Sequence, residues 1–198
     1  MPKAMDPAIR EQVLQAAARL LDSGSESAVT MRVIADETGV AVTTIYERFE
    51  SREGLLHALT AYLAEDEAER FAQCQQVEQV FESFLKYAQE HPHRYKLLSE
   101  SFLERLATGG ALPGFELLKD RLARKLGGVS NDHDELALGI TELMAGTVTG
   151  LLISLKNTEY QATVKRAGRS TLELILCAAV NDKKTTKPAP KRRTATSH

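Results

Sequence analysis

Residues 30–49, TMRVIADETGVAVTTIYERF, constrain this chain more than any other stretch. Two short runs with apolar residues at helical spacing flank a glycine. Thr30 is placed to cap the first run, in which Ile34 and Ala35 turn inward. Gly39 ends it by taking the left-handed backbone that glycine tolerates. Val42, Ile45 and Phe49 then recur at helical spacing and predict a second short helix. Ala35 is small enough to let that helix approach, while Val40 and Ile45 fill the wedge between the two. Two short helices at a steep angle around a tight turn describe a helix-turn-helix.

The rest of the 198-residue chain reads as helix throughout, so the expected fold class is all-α with about nine helices. Ala and Leu dominate, and Trp is absent. This composition favours helices over sheet. Asp6 caps a first helix that has Pro7 at its opening position and Ile9, Val13, Ala17, Leu20 and Leu21 along one stripe. Ser51 caps a fourth, with Leu55, Leu56, Leu59 and Leu63 inward, and that helix runs into the charged stretch 65–70. Five further helices follow over 77–90, 92–106, 113–126, 132–156 and 159–180, each stopped by Gly, Pro or a polar break. The organisation expected is a three-helix helix-turn-helix domain over 1–60 and a helical ligand-binding and dimerisation domain over 61–181. Residues 182–198, rich in Lys, Thr and Pro, read as a disordered basic tail.

A helix from Val42 to Phe49 that is pinned on one face is free on the other. The free face carries Thr43, Thr44, Tyr46 and Arg48, whose hydroxyls and guanidinium suit phosphates and base edges in a major groove. Residues 9–63 resemble the N-terminal domain of the tetracycline-repressor (TetR) family of bacterial regulators. The matching features are Ala16-Ala17, Leu20-Leu21, Gly24, Thr30, Ile34-Ala35, Gly39-Val40, Thr44-Ile45-Tyr46, Phe49, Ser51-Arg52-Glu53 and Leu55-Leu56. The resemblance implies a DNA-binding transcriptional regulator. Thr30, Tyr46 and Arg52 match phosphate contacts, Arg32 matches a position that reaches bases, and Thr43 and Thr44 match the recognition helix. Repression, rather than activation, rests on the resemblance alone.

The sequence departs from that pattern in three places. Ala41 stands where the family often has Ser, which removes a side-chain cap that in helices generally contributes about 0.5–2 kcal/mol. Val42 replaces a common Lys and is suited to a thymine methyl, and Glu47 is suited to a cytosine amino group. Charge opposes DNA binding at first sight. Residues 1–60 hold six basic side chains against nine acidic ones, whereas affinity for duplexes leans on basic groups. The expected answer is local, with Arg10, Arg32, Arg48 and Arg52 on the DNA side and Asp22, Glu26 and Asp36 turned away.

One recognition helix makes too few base contacts for specificity, and a two-fold dimer on a palindrome supplies the rest. The last two helices are apolar on more than one face, so Leu136, Ile140, Leu143, Leu172, Ile175 and Leu176 are the expected interface, with Gly139, Ala145, Gly146 and Gly150 allowing close approach. The aromatics cluster in the middle helices. Phe71, Phe84, Tyr95, Leu98, Phe102, Met144, Thr147 and Leu151 are the expected lining of a cavity for a small apolar effector, with His91, Ser99, Glu100 and Ser101 as further polar candidates.

Other classes fit less well. His91 and His93 flank Pro92 and cannot share a helical face as metal ligands do, and Gly109-Gly110 and Gly127-Gly128 lack the lysine of a phosphate loop. No enzyme, cofactor or metal is therefore expected. A helical protein-interaction module would explain the acidic body but not the register of Thr30, Gly39, Tyr46 and Arg52. No run of eighteen uncharged apolar residues and no secretory leader are seen, so a cytoplasmic protein without a membrane partner is expected. Cys74 and Cys177 read as free buried thiols.

Overall fold

The computed structural model describes residues 6–154 and 157–185. Nine α-helices form among them, with no strand, as the sequence predicts. They are α1 (Pro7–Ser23), α2 (Met31–Thr38), α3 (Val42–Phe49), α4 (Arg52–Ala72), α5 (Val77–Glu90), α6 (Pro92–Thr108), α7 (Pro113–Leu126), α8 (Asp134–Ile153) and α9 (Thr158–Thr185). Local chemistry sets several boundaries. The Asp6 carboxylate accepts the Ala8 N–H at 3.0 Å, ahead of Pro7. α8 starts two residues later than its apolar pattern suggests, because Ser130–His133 wind as a tighter 3-10 turn. The Asp132 carboxylate accepts the Val129 N–H there at 3.0 Å. α9 continues through residues 182–185, which the sequence reading gave to the tail. Residues 186–198 lie outside the described residues, as do 155 and 156.

Two hydrophobic cores organise the helices. The first gathers α1 to α4 around Val13, Leu14, Leu21, Ile34, Ile45, Leu55, Leu59 and Leu63. The second gathers α5, α7, α8 and α9 with the end of α4, around Phe81, Leu85, Leu118, Leu122, Ile140, Val148, Leu151 and Leu172. Each such aliphatic side chain contributes about 1.5–3 kcal/mol by leaving water. α4 serves both cores and runs unbroken past residue 60, so a rigid helix rather than a linker joins the two regions. The carbonyls at and just beyond its C-terminus are held by the buried Arg121. Its Nε donates to the Cys74 carbonyl at 2.6 Å and a terminal nitrogen donates to that of Ala72 at 3.4 Å.

α6 is different. No residue of α6 is fully buried. Leu97 and Leu98 lean on the first core, and Tyr95 and Phe102 on the second.

The last two helices divide the residues expected at the interface. Ile140, Leu172 and Leu176 are buried inside the single chain, and Leu136, Leu143 and Ile175 are half-buried against the same core. A helix that is apolar on two faces does not reveal from sequence which face meets its own core. The outward rows are instead Gly139, Gly146 and Ile153 on α8, and Tyr160, Ala167 and Leu174 on α9, all exposed and each spaced by seven. Ile153 is 80% and Leu174 71% exposed. Ser130–Ile153 is long and apolar enough to cross a membrane by composition alone, but Ala137, Ile140, Met144, Val148 and Leu151 sit in the second core. Cys74 is buried as expected, whereas Cys177 is exposed; both are free.

Candidate nucleic-acid interface and the adjoining cavity

The helix-turn-helix is built from its caps inward. The Thr30 hydroxyl accepts the Val33 N–H at 3.3 Å and starts α2, whose Met31, Ile34 and Ala35 are buried. Gly39 ends α2 at φ 72°, with its N–H on the Ala35 carbonyl at 2.8 Å. α3 follows without a side-chain cap at Ala41. Ile45, with no exposed surface, and Phe49 pin its inner side. At 3.6 residues per turn, Thr43 and Glu47 then lie opposite Ile45, with Tyr46 and Thr44 beside them and Val42 and Arg48 on the flanks. Of these, Thr44 alone is half-buried and the others are exposed; Tyr46 is 50% exposed.

The corner between α3 and α4 fixes the tilt of that face. Glu50 has φ 62°, a conformation uncommon outside glycine, and its N–H bonds the Tyr46 carbonyl at 2.8 Å. Ser51 caps α4 by accepting the Gly54 N–H at 3.0 Å. A Cβ on Gly54 would lie 2.1 Å from the Phe49 carbonyl oxygen, so only glycine allows α4 to start this close to the end of α3. Sequence reasoning passed over Gly54; its one signal was a glycine in the first turn of an otherwise good helix.

Arg52 is more occupied than the resemblance implies. Its Nε donates to the Val29 carbonyl at 3.0 Å, and one terminal nitrogen donates to the Glu26 carbonyl at 2.6 Å and lies 3.3 Å from the Glu26 carboxylate. Two of its three nitrogens thus hold the segment that leads into α2. Other charges sort unevenly. Glu37 pairs with Arg19 at 2.7 Å. Asp22 is taken by α6: the Arg94 guanidinium grips it at 2.8 and 2.5 Å, with His91 Nδ1 at 3.2 Å. Asp36, expected to turn away, is exposed one helical turn from Arg32. Arg32 and Arg48 are exposed, and no ion pair among the described residues engages them.

A cavity of about 240 Å³ opens between α4, α5, α6 and α8. Phe84, Tyr95, Leu98, Ser99, Phe102, Leu103 and Ala145 line it, with Thr141, Glu67 and Glu142. A deeper pit of about 50 Å³ shares Glu67, Phe84, Phe102 and Thr141 and adds Phe71, Phe115, Gly114 and Met144. The rings contact edge to face, Phe84 on Tyr95 at 5.7 Å and Phe102 on Phe115 at 5.8 Å. Six of the eight residues expected there, Phe71, Phe84, Tyr95, Leu98, Phe102 and Met144, therefore border one space or the other. Thr147 and Leu151 do not. The Thr147 hydroxyl donates to the Leu143 carbonyl at 2.8 Å and the residue packs on Gly168, while Leu151 is plain core. Among the polar candidates Ser99 borders the space, His91 turns to Asp22, and the Ser101 hydroxyl bonds the Leu98 carbonyl at 3.0 Å. Glu100 faces a wider, polar-rimmed cleft of about 540 Å³ beside Ser25, Arg52 and Lys96.

Glu67, Thr141 and Glu142 are the lining residues that sequence reasoning missed. Burial, and then the neighbouring Asp66 charge, push the Glu67 carboxyl up to about 7. Tyr95 is raised by burial and by Glu142 and Glu67. Tyr87 lies beneath them, fully buried, with its hydroxyl unbonded and its pKa raised by burial and by Glu67. No group of three or more His, Cys, Asp or Glu among the described residues is placed to hold a metal.

Residues 13–59 match the family model described as bacterial regulatory proteins, tetR family. No curated protein matches the chain. The matched span begins in α1, covers the whole of α2, the glycine turn and α3, and ends inside α4, so the exposed ridge of α3 stands in the context that gives such a helix its purpose. Residues 13–59 thus carry the DNA-binding domain of bacterial tetR-family transcriptional regulators.

Proposed function

We propose that this regulator is a repressor that binds a palindromic operator as a homodimer and leaves it when a small effector enters the aromatic cavity. The observation that carries the reading is the outward face of α3. Thr43, Thr44 and Tyr46 stand there on a helix pinned by Ile45 and Phe49, with Arg32 exposed at the start of α2. Hydroxyls and arginines on a short, rigid helix suit phosphates and base edges. Val42 and Arg48 flank the same face, and Arg52 acts chiefly by orienting α2, with Thr30 as its cap.

The seven-spaced rows on α8 and α9 support the dimer. Small residues at Gly139, Gly146 and Ala167 admit a partner's backbone, and Ile153, Tyr160 and Leu174 supply apolar area. Two copies would set the recognition helices about 34 Å apart or a multiple of that, one turn of duplex per half-site step. The cavity supports effector control, since α6 both lines it and holds Asp22 of α1 through Arg94. A ligand that shifts α6 would move the first core and lower duplex affinity through a coupling of about 1–3 kcal/mol. The cytoplasm, where such DNA lies, is the site of action.

Titration into a labelled duplex taken from upstream of its own gene tests this. Saturable binding to a two-fold site is expected, and Arg32→Ala with Tyr46→Ala should weaken it a hundredfold or more. Unchanged affinity in that double variant refutes the assignment of the α3 face.

A further inference from the structure

The lining of the cavity carries two carboxylates, Glu67 and Glu142, and no Lys, Arg or His. We propose that the cavity takes a small organic cation, an amine or quaternary ammonium with an apolar or aromatic body, whose charge sits against Glu67 and whose body lies between Phe84, Tyr95 and Phe102. This names the chemical class of the effector and rests on the cavity's being the effector site.

Glu67 carries the argument. Its carboxyl projects from α4 into the space that Gly114 leaves: a Cβ there would come within 3.0 Å of Glu67 Oε2 and 3.3 Å of the Phe71 ring. Among the described residues no hydrogen bond or ion pair reaches it. Arg105 is the cation that acts on it from a distance, and that guanidinium is already bonded to the Ala111 carbonyl. Glu67 is half-buried, and a carboxylate that a ligand closes off from water without a partner is costly unless something pairs with it. A cation entering the cavity supplies that partner, and aromatic faces attract the same charge. A neutral apolar ligand would strip the remaining water from Glu67 and return nothing, and an anion would meet two like charges. The size of the space, below the roughly 300–1,000 Å³ of sites for drug-sized molecules, limits the body to about one ring or a short alkyl chain.

Phenyltrimethylammonium and tert-butylbenzene have the same shape and differ in charge, so they isolate the claim. Calorimetric titration of each into the full-length protein at pH 8 is expected to give at least tenfold tighter binding of the cation. Glu67→Gln should remove that preference. Equal or tighter binding of the hydrocarbon overturns the cation and leaves the cavity as an effector site. Binding of neither overturns both. A cation affinity unmoved in Glu67→Gln places the charge recognition elsewhere and also overturns the proposal. Should that variant not fold, the comparison of the two probes in the native chain decides the matter alone. Duplex binding, measured without either probe, reports separately on the α3 face.

Discussion

Glu67→Gln should make the protein more stable at pH 8 and leave it unchanged near pH 4.5. In the folded chain the Glu67 carboxyl titrates at about 7, against 4.5 for an unperturbed glutamate. The folded state therefore holds the proton more tightly than the unfolded one. The stability this group contributes is fully present below pH 4.5 and is lost as the pH rises through about 7. At about 1.36 kcal/mol for each tenfold change in affinity for the proton, the loss by pH 8 is about 3 kcal/mol. The space in which Glu67 sits opens to solvent, so water entering it makes that figure a ceiling. Glutamine has nearly the same shape and no charge to bury, so the variant escapes the loss. Urea denaturation followed by circular dichroism, at one protein concentration and at pH 5, 6, 7 and 8, gives the difference between the two proteins. Asp66, Arg105, Arg94, Tyr87, Tyr95 and Glu142 surround the site and are present in both, so their titration largely cancels. The gap should open between pH 5 and 8, always in favour of the variant. A gap that stays flat with pH refutes the claim that Glu67 is desolvated in the folded chain.

Gly54→Ala places a methyl 2.1 Å from the Phe49 carbonyl oxygen; α4 must back away from α3, and a loss of about 2 kcal/mol or more in urea, with loss of duplex binding, is expected. Asp22→Asn weakens the grip of Arg94 and His91 on α1; duplex affinity without ligand should stay within about threefold, while the effect of a bound ligand on that affinity falls fivefold or more. Leu174→Glu puts a charge at the C-terminal end of the exposed α9 row; a protein that sediments as a dimer should become a monomer, and an unchanged sedimentation coefficient rejects this face as the interface.

What the sequence disclosed follows physical lines. Helix starts and stops are local, so Asp6, Thr30, Gly39 and Ser51 marked their boundaries correctly, each acting on backbone within four residues of itself. The inward faces of α1 to α4 were legible for the same reason. A single amphipathic stripe has one way to face. That logic fails on α8 and α9, where apolar residues cover two faces; Ile140 and Leu172 went to the core, and the outward rows went to glycine, alanine and three large side chains. Glu67 shows a second limit. It lies four residues after Leu63 and four before Phe71, so it falls on the inward stripe of α4, where it is half-buried. The surrounding run of charges, Glu65 to Arg70, made it look solvated. Position on the stripe, rather than local charge density, gave the truer indication.

The same reasoning makes α6 the part best suited to carry the proposed signal. A helix moves at low cost when little apolar surface must be uncovered to move it, and α6 has no fully buried residue. Its N-terminal turn is tied instead by ion pairs, Arg94 to Asp22 of α1 and, at 3.6 Å, to Asp66 of α4. Its middle, Tyr95 to Leu103, forms one wall of the cavity. Ion pairs of this half-exposed kind contribute little to stability, about 1 kcal/mol each, yet they are directional. A displacement of the wall by a bound ligand would therefore reach α1 without breaking either hydrophobic core. α4, rooted in both cores, resists the same displacement. On the proposed function, the rigid helix would set where the recognition helix points, and the loosely packed one would decide whether that pointing survives the arrival of a ligand.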